Sequence, residues 1–314
     1  MEELKALGIL WPGSRVGIIL FHGLTGTPAE LSGVAKDLNG YGFTVFCPLL
    51  AGHCVSEAEL LKTNWQDWYD SVKNALDAFS QHMDVIFSGG ISAGAVLSLK
   101  LAQDFPELLR GLALYSTTLW WDGWAIPKLS FILPLVLRLP YIGKRWRFKE
   151  AWPYGIKNEK LRERVYIKMQ KGDPSEAGFS GTPGFSLREL WRLVDLVKER
   201  LPQIKTPVLL IHASDDDMTS IRNALYIKNR VGGPKRLIAM ENSYHMITID
   251  QERHHVSQET ACYFFEQLGA QEQNLLLAAA NPKLIKILSQ PYEYKENTDQ
   301  ELLKGISKQR NWIK

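Results

Sequence analysis

The chain has 314 residues, of which 45% are hydrophobic and 23% are charged, and its formal net charge is +3. This composition excludes a disordered chain and a fibre, and so small a net charge gives no support for nucleic acid as a partner. The three cysteines, Cys47, Cys54 and Cys262, show no CxxC spacing and no Cys/His cluster, so we expect reduced thiols, a cytoplasmic location and no metal site.

Six short apolar runs are predicted to be strands, and helical segments lie between them. The runs are VGIILF (16–21), FTVFCP (43–48), DVIFSG (84–89), GLALYS (111–116), PVLLIHA (207–213) and KRLIAM (235–240). The helical candidates are 64–80, 93–104, 220–231 and 253–268. Several of the runs are apolar at every position, which is typical of parallel strands buried on both faces. The alternation of strands and helices predicts an α/β fold.

One long interval, from about 120 to 202, interrupts this alternation. It contains no convincing strand and many aromatic and basic residues. A long insertion between two strands of a regular sheet is most simply a cap over the end of the sheet where ligands bind. We therefore expect a core in two parts (1–117 and 204–269), a cap (118–203) and a C-terminal extension (270–314) without recognisable chemistry.

A single serine stands between small residues where a predicted strand gives way to a predicted helix. The segment Gly90-Ile91-Ser92-Ala93-Gly94 has the pattern G-x-S-x-G. A sharp turn of this kind exposes the serine hydroxyl, and larger residues at the glycine positions would collide with the neighbouring strand and helix. A glycine-rich turn with a solvated or helix-capping serine is the alternative. The strand-turn-helix context favours Ser92 as a nucleophile.

A serine nucleophile needs a general base, and the base needs an orienting acid. Among the seven histidines, His245 lies after the last predicted strand and is the expected base. Five others are interpreted as structural or solvated, namely His22, His82, His212, His254 and His255. The segment HASDDDMTS places Asp215, Asp216 and Asp217 after another strand, where at least one is expected to cap a helix. The order Ser, Asp, His at the carboxyl ends of different strands would bring the three groups together.

Five segments, taken together, resemble the α/β-hydrolases, and within them the bacterial carboxylesterases and monoacylglycerol lipases. They are FHGLTGTPAEL, LLAGH, GGISAG, HASDDDM and SYHMITID. The resemblance covers about 16–117 and 206–268. It implies the α/β-hydrolase fold, with a mostly parallel sheet, helices on both faces and an inserted, mainly helical cap.

The resemblance also assigns roles to single residues. It implies that the amides of Leu24 and Ala93 form the oxyanion hole. The acid of the family stands three positions after the small residue that closes the strand, which selects Asp216, although Asp215 or Asp217 would take this part if the loop is shifted. The implied enzyme is a serine esterase or lipase of lipid metabolism that needs no cofactor and no metal.

We expect the chain to cleave carboxylic esters with medium or long acyl chains through an acyl-enzyme on Ser92. The substrate would be a small-molecule acyl ester. The alternatives are an acyl thioesterase or a serine aminopeptidase that uses the same triad, and a non-catalytic protein that binds an apolar ligand on the same fold.

The apolar residues at the start of the cap allow two interpretations, an acyl-chain tunnel above Ser92 or ordinary packing. They are Trp120, Trp121, Trp124, Leu129, Phe131, Ile132, Leu133, Leu135, Val136 and Leu137. The basic residues beside them are expected to form a solvated face, and transient contact of the cap with an anionic membrane surface is the second interpretation. They are Arg138, Lys144, Arg145, Arg147 and Lys149.

Overall fold

The structure is a computed structural model. It describes residues 1–127, 130, 132–137, 142–149, 152–170, 178–179 and 181–288. Of the cap residues singled out above, Leu129, Phe131 and Arg138 lie outside this described part. None of the helices within it combines the length and the apolar character that crossing a membrane requires.

Seven strands form one sheet with the order β1-β3-β2-β4-β5-β8-β9. In chain order the strands are β1 (Gly8–Trp11), β2 (Val16–Phe21), β3 (Thr44–Pro48), β4 (Val85–Ile91), β5 (Gly111–Tyr115), β6 (Arg147–Lys149), β7 (Gly181–Pro183), β8 (Val208–Ala213) and β9 (Lys235–Met240). The strands of the sheet pair in parallel except for β1, which pairs antiparallel with β3. Every residue of β2, β3, β4, β5 and β8 is buried, as their apolar sequences predict.

Helices cover both faces of the sheet. They are α1 (Glu2–Leu7), α2 (Ser32–Gly40), α3 (Glu57–Leu60), α4 (Trp65–Ser80), α5 (Ala93–Asp104), α6 (Leu133–Val136), α7 (Ile142–Arg145), α8 (Glu159–Gln170), α9 (Gly184–Arg200), α10 (Arg222–Lys228), α11 (Arg253–Glu266), α12 (Ala270–Ala279) and α13 (Pro282–Leu288). One apolar cluster joins α4, α5 and α9 to the sheet, and a second cluster joins α2, α11 and α12 to the sheet. The α/β-hydrolase prediction, with helices on both faces, is therefore confirmed.

The prediction is wrong for one part of the chain and incomplete for another. The interval 120–202, which we expected to lack strands, contains the antiparallel pair β6 and β7, in which Phe148 faces Thr182. Each of these strands has three residues, too few to show a hydrophobic period. The edge strand β1, whose four residues are all at least partly exposed, was not predicted either.

The inserted stretch leaves the sheet after β5 and returns at β8, and these two strands are neighbours in the sheet. Its first residues are fixed to α10, because Asn223 Oδ1 accepts hydrogen bonds from the amides of Leu119 and Trp120. The described part of the extension, 270–288, packs on the opposite layer. The amide of Asn281 donates to the carbonyl oxygen of Gly40 at 2.8 Å, and Leu276 is fully buried.

The turn between β4 and α5 is possible because two of its residues have no side chain. A Cβ on Gly90 would lie 2.5 Å from the carbonyl oxygen of Phe21, and a Cβ on Gly94 would overlap the same oxygen. Between them Ser92 has φ 56°, in the left-handed region that L-residues rarely adopt. The glycines therefore allow the turn to pass against β2 and to present Ser92 at the end of β4.

We predict that Gly94→Ala lowers the free energy of unfolding by roughly 1–3 kcal/mol, because the new methyl group must displace backbone. Urea unfolding followed by circular dichroism measures the change. Gly269→Ala is the matched control, since its Cβ would meet nothing closer than Glu272 Oε2 at 3.7 Å. Equal stability of the two variants would contradict this account of the turn.

Candidate active site

Ser92 lies between β4 and α5 and is half-buried. Its Oγ is 2.8 Å from Thr118 Oγ1. Within the described part of the chain no hydrogen bond joins Ser92 Oγ to His245, but both side chains line the same cavity. The structure therefore brings Ser92 and His245 to one cavity. The serine hydroxyl is hydrogen-bonded to Thr118, which was not predicted from the sequence. The only sequence signal for Thr118 is the polar run that directly follows β5.

Two backbone amides near Ser92 have no acceptor among the described residues. They belong to Leu24, which follows β2, and to Ala93, the first residue of α5. Because β2 and β4 are adjacent in the sheet, both amides lie at the same sheet edge. An unpaired amide at a helix N-terminus is suited to bind developing negative charge.

The imidazole of His245 is held by the carboxylate of Asp216. His245 Nδ1 lies 2.9 Å from Asp216 Oδ2, and both side chains are buried. Asp216 Oδ1 also accepts from the amides of Met218 and Thr219, at 2.9 and 2.8 Å. With Nδ1–H directed to the carboxylate, His245 Nε2 is left to accept a proton.

The two neighbouring aspartates have other partners. Asp217 accepts from the amide of His245 at 3.3 Å and from the amide of Gly155 at 3.0 Å. Asp215 lies 3.7 Å from the ammonium group of Lys157. Of the three candidates that the sequence left open, Asp216 is the one whose carboxylate contacts the imidazole.

A second buried histidine also contacts Asp216. His212 Nε2, in β8, is 2.7 Å from the carbonyl oxygen of Thr219 and 3.3 Å from Asp216 Oδ2. From its place in a predicted buried strand, His212 is expected to be structural. Its position in a buried strand, four residues before the acid, was the available signal for this contact.

Burial and charge have opposite effects on the pKa values of His245 and Asp216. Burial by itself lowers the pKa of His245, but the negative charge of Asp216 and the hydrogen bond to it outweigh burial, so the pKa is raised above 6.5. Burial by itself raises the pKa of Asp216, but contact with His245 and His212 holds it well below its ordinary value. Burial and then the charge of Asp216 raise the pKa of Asp217 to about 6.

The cavity above Ser92 has mostly apolar walls. It is lined by Gly23, Leu24, Thr25, Gly26, Glu30, Ile91, Ser92, Tyr154, Ile156, Val165, Met169, Phe179, Met218, His245, Met246 and Ile249. None of the described residues that we expected in an acyl-chain tunnel is among them. Instead, the ring of Trp120 packs against Tyr226, and the ring of Trp124 packs against Tyr244.

The other end of this cap segment also differs from a tunnel. Leu137 is buried in the core, whereas Leu135 is 68% exposed. Nor do the described residues contain any group of three or more His, Cys, Asp or Glu side chains that could hold a metal ion. The cavity that Ser92 and His245 share is thus lined by residues other than those expected for the tunnel.

Comparison with known proteins finds a matching family and relatives of similar sequence. A family profile described as serine aminopeptidase, S33 (Hydrolase_4), matches residues 13–252. The chain is 27% identical to a thermostable monoacylglycerol lipase of Bacillus sp. (strain H-257) over 255 residues, which are 81% of this chain and 92% of the relative. It is 27% identical to a carboxylesterase of Bacillus subtilis (strain 168) over 264 residues, covering 82% and 96%.

A solved structure of a metagenome-derived lipolytic enzyme superposes with a TM-score of 0.70 at 25% identity. The match covers 83% of this chain and 98% of that chain. The resemblance read from the five sequence segments is thus confirmed over most of the chain.

We predict that Asp216→Asn lowers the pKa of His245, because it removes the main charge that opposes burial. NMR titration of the His245 imidazole measures this value, which should be above 6.5 in the unmodified protein. Asp215→Asn is the matched control and should leave the pKa raised. An unchanged pKa in Asp216→Asn, or equal shifts in both variants, would contradict the assignment of Asp216.

Proposed function

The chain belongs to the serine aminopeptidase, S33, family (Hydrolase_4), and on this premise we propose that it is a serine hydrolase. Its substrates are carboxylic esters of medium- or long-chain acyl groups, and the acyl-enzyme forms on Ser92. The supporting observation is the His245–Asp216 pair beside the cavity that Ser92 also lines. Relatives described as lipase and carboxylesterase favour esters over thioesters and peptides. A non-catalytic binding protein has no need for all three groups.

In the proposed reaction, His245 Nε2 removes the proton of Ser92 as Oγ attacks the acyl carbonyl carbon. Asp216 holds the ring and stabilises its protonated form. For this step Ser92 Oγ leaves Thr118 Oγ1 and turns toward His245 by rotation about the Cα–Cβ bond of Ser92. Because the base has to be neutral, hydrolysis accelerates as the pH rises through the raised pKa of His245.

The oxyanion of the tetrahedral intermediate is bound by the amides of Leu24 and Ala93. Their lack of described acceptors supports this role. The loss of one such donor typically raises the barrier by about 3 kcal/mol. His245 then gives its proton to the leaving alcohol, and a water molecule, activated by the same histidine, releases the acid from Ser92.

We assign the stretch 118–203 to a cap that closes this site. Two contacts support the assignment. The amide of Phe179 donates to the carbonyl oxygen of Thr25 at 3.0 Å, and the carbonyl of Gly155 accepts from the amide of Met246 at 2.8 Å. The inserted stretch therefore touches both the loop that carries Leu24 and the loop that carries His245. Its apolar side chains suit an acyl chain.

The cytoplasmic location and a transient contact with a membrane surface stay predictions. Buried Cys47 and Cys262, which form no disulfide, support the first. Exposed Leu135 and Trp146, with the exposed basic residue Lys149 nearby in the chain, support the second. A lipid surface would bring the substrate and the cap together.

We predict that a fluorophosphonate probe labels the unmodified protein and does not label Ser92→Ala, because the probe reacts only with an activated serine. Fluorescence of the separated protein measures the labelling. Ser80→Ala, at the end of α4, is the matched control and should be labelled like the unmodified protein. Labelling of Ser92→Ala at the full rate would refute the serine hydrolase. So would the absence of labelling in the unmodified protein and in both variants.

We predict that p-nitrophenyl esters from acetate to palmitate show a kcat/KM that rises beyond acetate, because each buried methylene contributes about 0.8 kcal/mol of binding. Steady-state kinetics of the series checks this expectation. A strong preference for acetate would contradict the acyl-chain preference while leaving the serine mechanism intact.

A further inference from the structure

The hydroxyl group of Ser92 has one hydrogen-bond partner among the described residues, and this partner is not the base. Ser92 Oγ lies 2.8 Å from Thr118 Oγ1, and no hydrogen bond within the described part of the chain joins it to His245. Thr118 is 1% exposed, so its side chain is shielded from water. The nucleophile therefore rests against a threonine, although the proposed reaction needs it at the imidazole.

Thr118 is held in place by the segment that contains it. The amide of the next residue, Leu119, donates to Asn223 Oδ1 at 2.8 Å. Two residues earlier, Ser116 Oγ donates to the carbonyl oxygen of His245 at 2.7 Å. Thr118 Oγ1 is also 3.4 Å from the carbonyl oxygen of Ser116, to which it can only donate. The hydroxyl group of Thr118 thus has a fixed position relative to the loop that carries the base.

Either hydroxyl group can be the donor in the contact between Ser92 and Thr118. When Ser92 donates, its proton is directed at Thr118 instead of His245. When Thr118 donates, Ser92 Oγ still has to rotate before its own proton reaches the imidazole. Because a general base has to be within hydrogen-bond reach of the proton that it removes, both arrangements are unreactive.

We propose that Thr118 is a positioning residue that holds Ser92 in a resting orientation and thereby limits the rate of acyl transfer to Ser92. The inference rests on the proposed function. Only the molecules in which Ser92 has left Thr118 react, so the observed rate is the rate of the reactive orientation multiplied by its fraction. One hydrogen bond between neutral groups in a protein shifts such an equilibrium by about two- to tenfold.

Two other roles for Thr118 predict different results. A threonine that donates to Ser92 Oγ in the transition state would activate the nucleophile, and the loss of its hydroxyl group would slow the reaction. A threonine that only stabilises the fold would change the free energy of unfolding and leave the rate per folded molecule the same. Only a resting contact predicts a faster reaction when the hydroxyl group is lost.

The test is the second-order rate constant with which a fluorophosphonate labels Ser92. Thr118→Val removes the hydroxyl group and keeps the shape of the side chain, whereas Thr118→Ser keeps the hydroxyl group. Thr117→Val is the matched control, because Thr117 is equally buried and its hydroxyl group has no hydrogen-bond partner among the residues that the structure describes.

We expect Thr118→Val to be labelled about fivefold faster than the unmodified protein, because more molecules then hold Ser92 in the reactive orientation. Thr118→Ser should lose most of this acceleration, and Thr117→Val should be labelled at the rate of the unmodified protein. Slower or unchanged labelling of Thr118→Val would overturn the inference, and so would equal acceleration in Thr117→Val.

The pKa of His245 reports on the same contact without a Thr118 variant. A hydroxyl group that donates to His245 Nε2 stabilises the uncharged imidazole and lowers its pKa. Since Ser92 rests on Thr118, we expect Ser92→Ala to leave the pKa of His245 unchanged in an NMR titration. A higher pKa in Ser92→Ala would mean that the hydroxyl group is already bonded to His245 and would overturn the inference.

The two measurements also separate this inference from the function on which it rests. Absence of labelling in the unmodified protein would refute the proposed serine hydrolase. The titration of Ser92→Ala would then still decide where the hydroxyl group of Ser92 rests.

Discussion

The structure of the site depends on the burial of one carboxylate. Asp216 is 3% exposed, and a charge in such a position is tolerated only if hydrogen bonds replace its lost hydration. The amides of Met218 and Thr219 and the ring of His245 supply those bonds. The same bonds fix the loop after β8, the tautomer of His245 and the direction of Nε2. Removing the carboxylate of Asp216 would therefore change both the orientation of the His245 ring and the charge beside it.

The parallel sheet brings the remaining groups to this carboxylate. Leu24, Ser92, Asp216 and His245 each follow a different strand, namely β2, β4, β8 and β9. Since the carboxyl ends of parallel strands lie at one edge, four distant segments of the chain meet without long excursions. Asp217 adds a link to the stretch inserted between β5 and β8, because its carboxylate accepts from the amides of both His245 and Gly155. One carboxylate thus contacts both the loop that carries the base and the inserted stretch.

The apolar runs of the strands and the residue types of the turn were enough to predict part of the fold from the sequence. Short apolar runs predicted β2 and β9 with their full bounds, and the glycines around Ser92 predicted the turn. The strands β6 and β7 and the cavity walls were not predicted, because three-residue strands have no period and because an apolar side chain in a cap packs equally well on protein or on ligand. Trp120 and Trp124 illustrate this, since they pack on Tyr226 and Tyr244. Contacts such as Ser92 with Thr118 depend on tertiary structure alone.

The central claim is that Ser92, His245 and the amides of Leu24 and Ala93 act together on one acyl carbonyl group. A crystal structure of the protein after reaction with an alkyl phosphonate, which resembles the tetrahedral intermediate, tests it most directly. The account predicts phosphorus bonded to Ser92 Oγ, the phosphoryl oxygen within hydrogen-bond distance of both amides, and His245 still bound to Asp216. A phosphonate attached to another residue, or a phosphoryl oxygen directed away from both amides, would contradict it.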